Sequence, residues 1–432
     1  MSDAPFPSLT PRHGRILDLA LALLVLVVAL VPRVQAAQSY DTPIQSEERL
    51  YDRYAWPWSQ GEGAEPREKY FPWHPLGSFT HRPPLYALFM GTIYYFEGRD
   101  FEAVRMAQAV VGALIAVLTF VLGRQLANRW VGLAAALIVA ECSFLIEFVT
   151  RLMSETLFIF LMLAALVLLL WGRNGKLWLL FAASVVLGLA NLTRPVLLLP
   201  FLLFLVIWLW FIPGFRRRPL QALIALGLGL LLTIGPVVVR NYQFHGKLVL
   251  ISSNSGFTFY HGIDRTDGLT DPAFLRSKEE IQDLELGELE EQALFRQIAI
   301  QYLQRYPQDI PRIVATQVEE FTAARQGYKV SDVVMPTPED PILWPLLGWG
   351  TLLSLILFPR RALHARSLLY LTILAQVLMG LVFHMEVRYR LPLVPLMALL
   401  TCWVAWESLA WLITRLTAPP ASQPAPAEPR AD

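Results

Sequence analysis

A short charged segment near the end of the chain is the first feature that could support chemistry. Residues 384–392 read HMEVRYRLP, so one carboxylate and two guanidinium groups alternate along the chain. Roughly twenty mostly apolar residues, enough to cross a membrane, flank the segment on each side. Charges between such segments are costly unless they lie at the membrane surface or line a polar cavity. We therefore expect Glu386, Arg388 and Arg390 in one of these two places.

Two earlier segments also combine groups that could act together. An acidic pair, Glu47-Glu48, is followed by Tyr51, four residues after the first acid. Later, Arg82 precedes two prolines. Because a residue before proline avoids the helical region, the backbone at this arginine should be extended. Its guanidinium would then point in a fixed direction, which suits the binding of an anion.

A third segment places Glu155 near the start of an apolar run, 153–171. A carboxylate within a membrane span needs a partner or a polar cavity. Arg151 lies one turn earlier and could pair with it at the i,i+4 spacing. A local ion pair and a role in a shared site are both open for these two residues.

The composition indicates a membrane protein. The chain is 55% hydrophobic and only 16% charged, whereas soluble proteins carry about 25% charged residues. The net charge of +1 does not suggest binding to nucleic acid. Both cysteines, Cys142 and Cys402, fall in apolar runs, so a disulfide framework is not expected.

The apolar runs are long enough to cross the hydrocarbon core of a bilayer. We predict ten spans, at about 15–32, 102–123, 131–148, 153–171, 177–193, 195–213, 219–239, 341–358, 367–384 and 391–413. A shorter apolar stretch, 84–96, is predicted as an interfacial or re-entrant helix. The first span resembles a signal peptide in its flanks, but we expect it to be retained. The predicted fold class is an all-α polytopic membrane protein.

The basic residues of the short loops predict the orientation. They fall on one side of the predicted spans, which the positive-inside rule makes cytoplasmic. They are Arg12, Arg15, Arg124, Arg129, Arg173, Lys176, Arg216, Arg217, Arg218, Arg360, Arg361, Arg366 and Arg415. We expect a multi-pass protein of the cell membrane with both termini in the cytoplasm.

The orientation divides the chain into five parts. Residues 1–14 form a cytoplasmic N-terminus, and 15–240 form a transmembrane module whose first external loop, 33–101, bears interfacial helices. Residues 241–340 form a second external loop with a small, mostly helical region, of which 278–306 has the clearest helical pattern. Residues 341–414 hold the last spans, and 415–432 form a Pro- and Ala-rich cytoplasmic tail that we predict to be disordered.

Acidic and basic residues gather at the predicted external ends of the spans. Such mixed charges predict a shared polar site, although ordinary interfacial ion pairs and snorkelling arginines would give a similar pattern. The residues are Glu47, Glu48, Arg82, Glu147, Arg151, Glu155, Arg194, Arg240, Glu386, Arg388 and Arg390.

The order and spacing of these segments resemble the C-type (GT-C) superfamily of membrane glycosyltransferases. The resemblance is strongest to the branch of protein O-mannosyltransferases and lipid A aminoarabinose transferases. It depends on the acidic pair at residues 47–48, the segments 80–86 and 153–158, and the E-x-R-Y-R-x-P element at 386–392. Thr193-Arg194-Pro195 and Arg240-Asn241-Tyr242 add to it.

The resemblance implies that a sugar passes from a polyprenyl-phosphate donor to an extracytoplasmic acceptor, which could be a protein, a lipid or a glycan. The lipid tail would stay in the bilayer, with the active site on the external face. A single displacement is implied. A secondary transporter, and a polysaccharide polymerase or ligase that uses a lipid-linked oligosaccharide, are the alternatives.

Displacement at the anomeric carbon requires a base for the acceptor proton and a group that stabilises the departing phosphate. The family has an aspartate as the first acid of its first-loop pair, and Glu47 occupies that position here. The longer glutamate side chain leaves Asp41 as a rival, with Glu48 and Asp52 as further candidates. No metal or other cofactor is expected to be required. Glu47, Glu48, His74, His81 and His384 could hold a divalent ion, but they lack the close spacing of a metal motif.

Arginine binds phosphate through two parallel hydrogen bonds. We predict Arg82, Arg388, Arg390 and Arg194 as phosphate ligands, although Arg194 could instead be an interfacial charge at a helix start. In an extended segment, Arg388 and Arg390 would share a face and Tyr389 would point away. The supporting residues of the predicted site are His81, Tyr51, Arg151, Glu155, Arg240, Glu386 and Tyr389.

Overall fold

A bundle of apolar helices with a small helical region at one end forms the described part of the chain. The computed structural model describes residues 11–61, 80–275, 280–281, 283–284, 286–322, 328–330, 333–335, 342–357 and 363–417. The prediction of an all-α polytopic membrane protein is confirmed.

The described part of the chain is divided among helices, single 3₁₀ turns and one pair of short strands. The first helices are α1 (Pro11–Ser39), α2 (Ser46–Ser59), α3 (Leu85–Glu97), α4 (Phe101–Leu126), α5 (Arg129–Glu141), α6 (Ser143–Glu147), α7 (Glu155–Gly172) and α8 (Leu177–Thr193). The later ones are α9 (Leu199–Phe211), α10 (Pro213–Arg216), α11 (Pro219–His245), α12 (Ser255–Asp264), α13 (Glu288–Arg305), α14 (Ile310–Thr322), α15 (Leu343–Leu357), α16 (Leu363–Val382) and α17 (Leu393–Thr417). Single 3₁₀ turns are Pro195–Leu197, Pro272–Phe274, Pro307–Asp309 and Val387–Arg390. Strands β1 (Tyr328–Val330) and β2 (Val333–Met335) form an antiparallel pair.

Each predicted span overlaps at least one helix of the structure. Helices long and apolar enough to cross a membrane on their own include Gly14–Ser39, Phe101–Leu126, Glu155–Gly172, Pro219–His245 and Leu393–Thr417. Shorter apolar helices occupy Leu177–Thr193, Pro200–Phe211, Leu343–Leu357 and Arg366–Val382. The predicted span 131–148 is interrupted, because α5 ends at Glu141 and α6 begins at Ser143. The predicted interfacial stretch 84–96 forms α3.

Arg33 shows how the apolar bundle tolerates the end of α5. The last carbonyl groups of a helix lack partners within that helix, and in an apolar environment each must be satisfied. The Arg33 guanidinium, only 1% exposed, donates to the carbonyl oxygens of Val139 at 2.9 Å and Ala140 at 2.7 Å. This contact fixes the later part of α1 against α5, just before the chain turns toward α2.

The small helical region has an apolar core of its own, contributed largely by α12, α13 and α14. Gln317 of α14 links this region to the charged segment before α17. Its amide donates to the carbonyl oxygen of Gly262 at 3.0 Å and accepts from the Met385 amide at 2.6 Å. The helical region therefore holds the backbone that carries Glu386 and Arg388.

A second link joins the segment before α3 to the segment before α12. Glu288, at the start of α13, accepts hydrogen bonds from the hydroxyl groups of Thr80, at 2.7 Å, and Ser253. The Ser253 amide also donates to the Thr80 carbonyl oxygen at 2.8 Å. These contacts bring Arg82 close to residues 250–255.

The predicted division into domains stays a prediction, although parts of it can be compared with the helices. The helical stretch predicted at 278–306 contains α13, which begins at Glu288. Helix α17 extends to Thr417, so the first residues of the predicted tail 415–432 are helical. Residues 418–432 lie outside the described residues.

We predict that Gly256→Ala lowers the stability of the protein by about 1–3 kcal/mol, the usual range for overpacking. A Cβ atom at Gly256 would lie 1.9 Å from the carbonyl oxygen of Gln292, so α12 and α13 would have to separate. Gly227→Ala is the matched control, since no atom lies within 4 Å of its added Cβ. Thermal unfolding in detergent measures both, and equal unfolding temperatures for the two variants would contradict this account of the packing.

Candidate active site

Charged side chains from five separate segments meet at one end of the bundle. This is the end at which α8 and α16 finish and α7 and α17 begin. The side chains are Glu47 of α2, Arg82 before α3, Glu155 at the start of α7, Arg194 after α8, and Arg388 before α17. We call these five residues the charged cluster.

Glu47 lies between two arginines of the charged cluster. Its Oε1 accepts from Arg82 Nη2 at 2.6 Å, and its Oε2 accepts from Arg388 Nη1 at 2.5 Å. Arg388 Nη2 makes a third, longer contact with Oε1 at 3.3 Å. Both carboxylate oxygens are therefore occupied by guanidinium groups.

The other arginines are also balanced by carboxylates. Arg194 pairs with Glu155 at 2.5 Å, and Arg388 Nη1 lies 3.6 Å from the same carboxylate. Arg388 Nε lies 2.5 Å from Glu386 Oε2. Three guanidinium groups thus face three carboxylates.

Burial and ion pairing act against each other on the pKa values of these acids. Burial disfavours the charged form of Glu47, but Arg388 and Arg82 more than offset this and hold its pKa well below the ordinary value. The pKa of Glu386 is also lowered, because Arg388 and His384 outweigh the effect of burial. Both groups are therefore carboxylates at neutral pH.

A cavity of about 270 Å³ opens beside the charged cluster. Arg82, Arg194, Arg388 and Glu155 line its charged end, and Glu47 lies behind Arg82 and Arg388. Much of the rest is apolar and comes from Phe158, Val196, Leu198, Val377, Met379, Phe383 and Leu393. A neutral polar wall is formed by Ser252, Asn254, Ser255 and Thr258. The cavity therefore suits a ligand with an anionic head and an apolar tail.

Glu155 presents an unsatisfied group to this cavity. The side chain is 2% exposed, and its Oε2 makes no hydrogen bond within the part of the chain that the structure describes. A buried carboxylate oxygen without a partner is costly. A hydroxyl group of a ligand would satisfy it.

Two tyrosines complete the charged end. The Tyr51 hydroxyl donates to Ser154 Oγ at 3.2 Å, and its ring packs edge-on against Tyr86. The Tyr389 ring lies 5.1 Å from the guanidinium carbon of Arg194 and 5.7 Å from that of Arg388. These aromatic contacts orient the guanidinium groups.

The predicted arrangement of the segment around Arg388 is wrong in one respect. Residues Val387–Arg390 form a 3₁₀ turn and not an extended segment, so Arg388 and Arg390 do not share a face. Tyr389 lines the cavity, whereas Arg390 lies over the rings of Trp344, at 5.0 Å, and Phe321, at 5.8 Å. The geometry does not support a phosphate ligand at Arg390.

The other candidate bases lie apart from the cavity. Asp41 is exposed in the connection between α1 and α2. Glu48 is buried and accepts from the backbone amides of Gln45 and Leu152, both at 3.0 Å, so it anchors the start of α2. Asp52 accepts from Tyr94 at 3.1 Å and from Arg99.

The structure gives Arg151 partners other than Glu155. This arginine pairs with Glu147 at 3.1 Å and with the Tyr40 hydroxyl. His81 and Arg240 are half-buried, and neither lines the cavity.

The sequence did not indicate every residue of the site. Arg265 reaches His384 at 3.0 Å and Glu386 at 3.5 Å, and so supports the carboxylate behind Arg388. Nothing in the sequence around Arg265 indicated that it belongs to the site. Gln376 lines the cavity, and an amide within the apolar run 367–384 was a signal that could have identified it.

A metal site is not evident among the described residues, where no group of three or more His, Cys, Asp or Glu side chains could hold an ion. Of the acids and histidines considered for such a site, His74 lies outside the described residues.

Comparisons with known proteins agree with this architecture. Residues 81–239, less than half of the chain, match the family described as dolichyl-phosphate-mannose-protein mannosyltransferase. No curated protein matches the chain.

Among solved structures, the oligosaccharyltransferase AglB from Archaeoglobus fulgidus, in complex with an inhibitory peptide and a dolichol-phosphate, superposes with a TM-score of 0.60 at 13% identity. The alignment covers 95% of this chain and 52% of AglB, so the chain spans about half the length of that protein. An oligosaccharyltransferase from Archaeoglobus fulgidus in the apo form gives a TM-score of 0.58 at 14% identity, over 91% of this chain and 52% of that protein.

ArnT from Cupriavidus metallidurans, bound to undecaprenyl phosphate, gives 13% identity over 95% of this chain and 82% of ArnT. Its TM-score of 0.39 is too low to add to the fold assignment. The chain therefore has the fold of the AglB oligosaccharyltransferase, and the resemblance predicted from the sequence is confirmed.

The lowered pKa values of Glu47 and Glu386 predict the effect of acid on stability. A carboxylate with a lowered pKa in the folded state stabilises the protein above its unfolded pKa, and that contribution is lost as the pH falls toward the folded value. The unfolding temperature should therefore decrease as the pH drops below about 4.5, the region where free glutamate titrates. Glu47→Gln should be less stable than the wild type at neutral pH. In acid, the unfolding temperatures of the two proteins should converge. A constant difference at every pH would contradict this prediction.

Proposed function

We propose that this protein is a glycosyltransferase that moves a sugar from a polyprenyl-phosphate donor to an extracytoplasmic acceptor. The observation that carries the proposal is the convergence of Arg82, Arg194 and Arg388 at the charged end of an otherwise largely apolar cavity. An isoprenoid phosphate has this distribution of charge and apolar surface. AglB, which shares the fold, was solved with a dolichol-phosphate, and this supports the same class of ligand here.

The proposed reaction is a single displacement. An acceptor oxygen attacks the anomeric carbon, the bond from that carbon to the phosphate oxygen breaks, and polyprenyl phosphate leaves. The acceptor proton passes to Glu47, the proposed base. Arg82, Arg194 and Arg388 stabilise the negative charge that develops on the departing phosphate. We assign Glu155 Oε2, which has no hydrogen-bond partner among the described residues, as an acceptor for a hydroxyl group of a substrate.

Glu47 is preferred over its rivals because of its surroundings. It contacts two arginines that line the cavity, whereas Asp41 is exposed and Glu48 is held by backbone amides.

The position of the charged cluster at helix ends, away from mid-depth, argues against a transport pathway. The distribution of basic loops supports an active site on the external face.

We expect Glu47→Gln to reduce sugar transfer by about 10²–10⁴-fold, the range for loss of a general base. Asp41→Asn is the matched control and should retain wild-type activity, since Asp41 is exposed. Transfer of radiolabelled sugar from a purified polyprenyl-phosphate donor measures both. Full activity of Glu47→Gln together with inactivity of Asp41→Asn would reverse the assignment of the base.

Arg388→Ala should weaken donor binding by roughly 10- to 100-fold, the loss expected for hydrogen bonds to a charged group. Arg390→Ala removes a neighbouring guanidinium that lies over Trp344, outside the cavity, and should leave donor affinity unchanged. Titration of each variant with polyprenyl phosphate in lipid nanodiscs measures the affinity. An equal loss of affinity in both variants would refute the phosphate role of Arg388.

A further inference from the structure

The charged cluster and Glu386 together pose a problem for any phosphate ligand, because their three guanidinium groups already face three carboxylates. Arg265, which also contacts Glu386, pairs in turn with Glu320 at 3.5 Å. The guanidinium groups of Arg82, Arg194 and Arg388 face the carboxylates of Glu47, Glu155 and Glu386. An added phosphate would give this buried group a net negative charge, which is strongly disfavoured away from water. Phosphate binding therefore requires one carboxylate to give up its arginines.

Glu47 is the carboxylate that can move most easily. The Glu155 side chain is 2% exposed and belongs to the first turn of a bundle helix. Glu386 is held by His384 at 2.9 Å and by Arg265 at 3.5 Å, in addition to Arg388. Glu47 retains 17% side-chain exposure, and its ion pairs are those with the two cavity-lining arginines.

The Glu47 side chain can move without a movement of the backbone. The neighbouring Glu48 side chain accepts from the amides of Gln45 and Leu152 and so fixes the start of α2. A change of the Glu47 side-chain rotamer alone would release both guanidinium groups. Such rotamer changes are fast and small compared with the movement of a helix.

We propose that Glu47 occupies the guanidinium groups of Arg82 and Arg388 in place of the donor phosphate, and that donor binding displaces it and so frees it to act as the base. The inference rests on the proposed function. A carboxylate whose two oxygens are both bound by arginines is a poor proton acceptor. Once the phosphate has taken over the arginines, the carboxylate regains its basicity beside the bound donor.

The exchange also bears on the end of the reaction. Polyprenyl phosphate leaves the sugar as a more highly charged anion and would bind the arginines tightly. When Glu47 has lost the acceptor proton to solvent, its carboxylate competes again for Arg82 and Arg388. The same side chain then favours release of the lipid product.

The test compares the binding of polyprenyl phosphate to the wild type and to Glu47→Gln, with both proteins in lipid nanodiscs. Competition predicts that Glu47→Gln binds at least tenfold more tightly, because the ion pairs of Glu47 with Arg82 and Arg388 no longer have to be broken. A carboxylate that merely positions the arginines predicts the opposite sign. Equal or weaker binding by Glu47→Gln would overturn the inference.

Asp18→Asn is the matched control. Asp18 also lies between two arginines, Arg124 at 2.7 Å and Arg129 at 3.2 Å, but it belongs to the opposite end of the bundle. Its removal should leave the affinity unchanged. An equal gain in both variants would show a general effect of charge and would also overturn the inference.

Combining Glu47→Gln with a second substitution, Arg82→Gln, gives a further test. In Arg82→Gln, one of the two contested guanidinium groups is absent, so Glu47→Gln should give a smaller gain than in the wild type. An undiminished gain would contradict competition at Arg82.

Polyprenol, which lacks the phosphate, separates the two proposals. If the wild type binds polyprenyl phosphate no better than polyprenol, the proposed function fails and the inference fails with it. If the wild type prefers the phosphate and Glu47→Gln binds it no more tightly, only the inference fails.

Discussion

The structure depends on the desolvation of charge at one end of an apolar bundle. Guanidinium groups and carboxylates are costly to bury and become tolerable only when each has a partner of opposite charge. Arg82, Arg194 and Arg388 satisfy this condition through acids from different segments. The ends of helices must therefore be placed closely enough for ion pairs to form. The same arrangement places three guanidinium groups along the cavity, where we propose that they bind a phosphate.

The small helical region acts on this cluster through a few defined contacts. Gln317 holds the backbone at Met385, and Glu288 joins Thr80 to Ser253. These hydrogen bonds fix the positions of the segments more closely than apolar packing does, because hydrogen bonds are directional. The small helical region is thus a structural support for the segments that line the cavity.

The fold was largely predictable from the sequence, because membrane-length apolar runs and basic loops follow simple physical rules. The gathering of Glu47, Arg82 and Arg388 at one end also followed from those rules. The pairing within the cluster did not, since it depends on tertiary contacts. A single 3₁₀ turn separated Arg390 from Arg388, where an extended backbone would have kept them together. The different partners of the adjacent acids could not be predicted either. Backbone amides bind Glu48, whereas arginines bind Glu47.

The central claim is that the arginines of the cluster bind the phosphate of a lipid-linked sugar and that Glu47 holds their place in its absence. An experimental structure of the protein in nanodiscs with polyprenyl phosphate tests this claim most directly. The account predicts the phosphate within hydrogen-bonding distance of Arg82 and Arg388, with the Glu47 carboxylate turned away from both. A phosphate bound elsewhere, or a Glu47 carboxylate still lying between the two guanidinium groups, would contradict it.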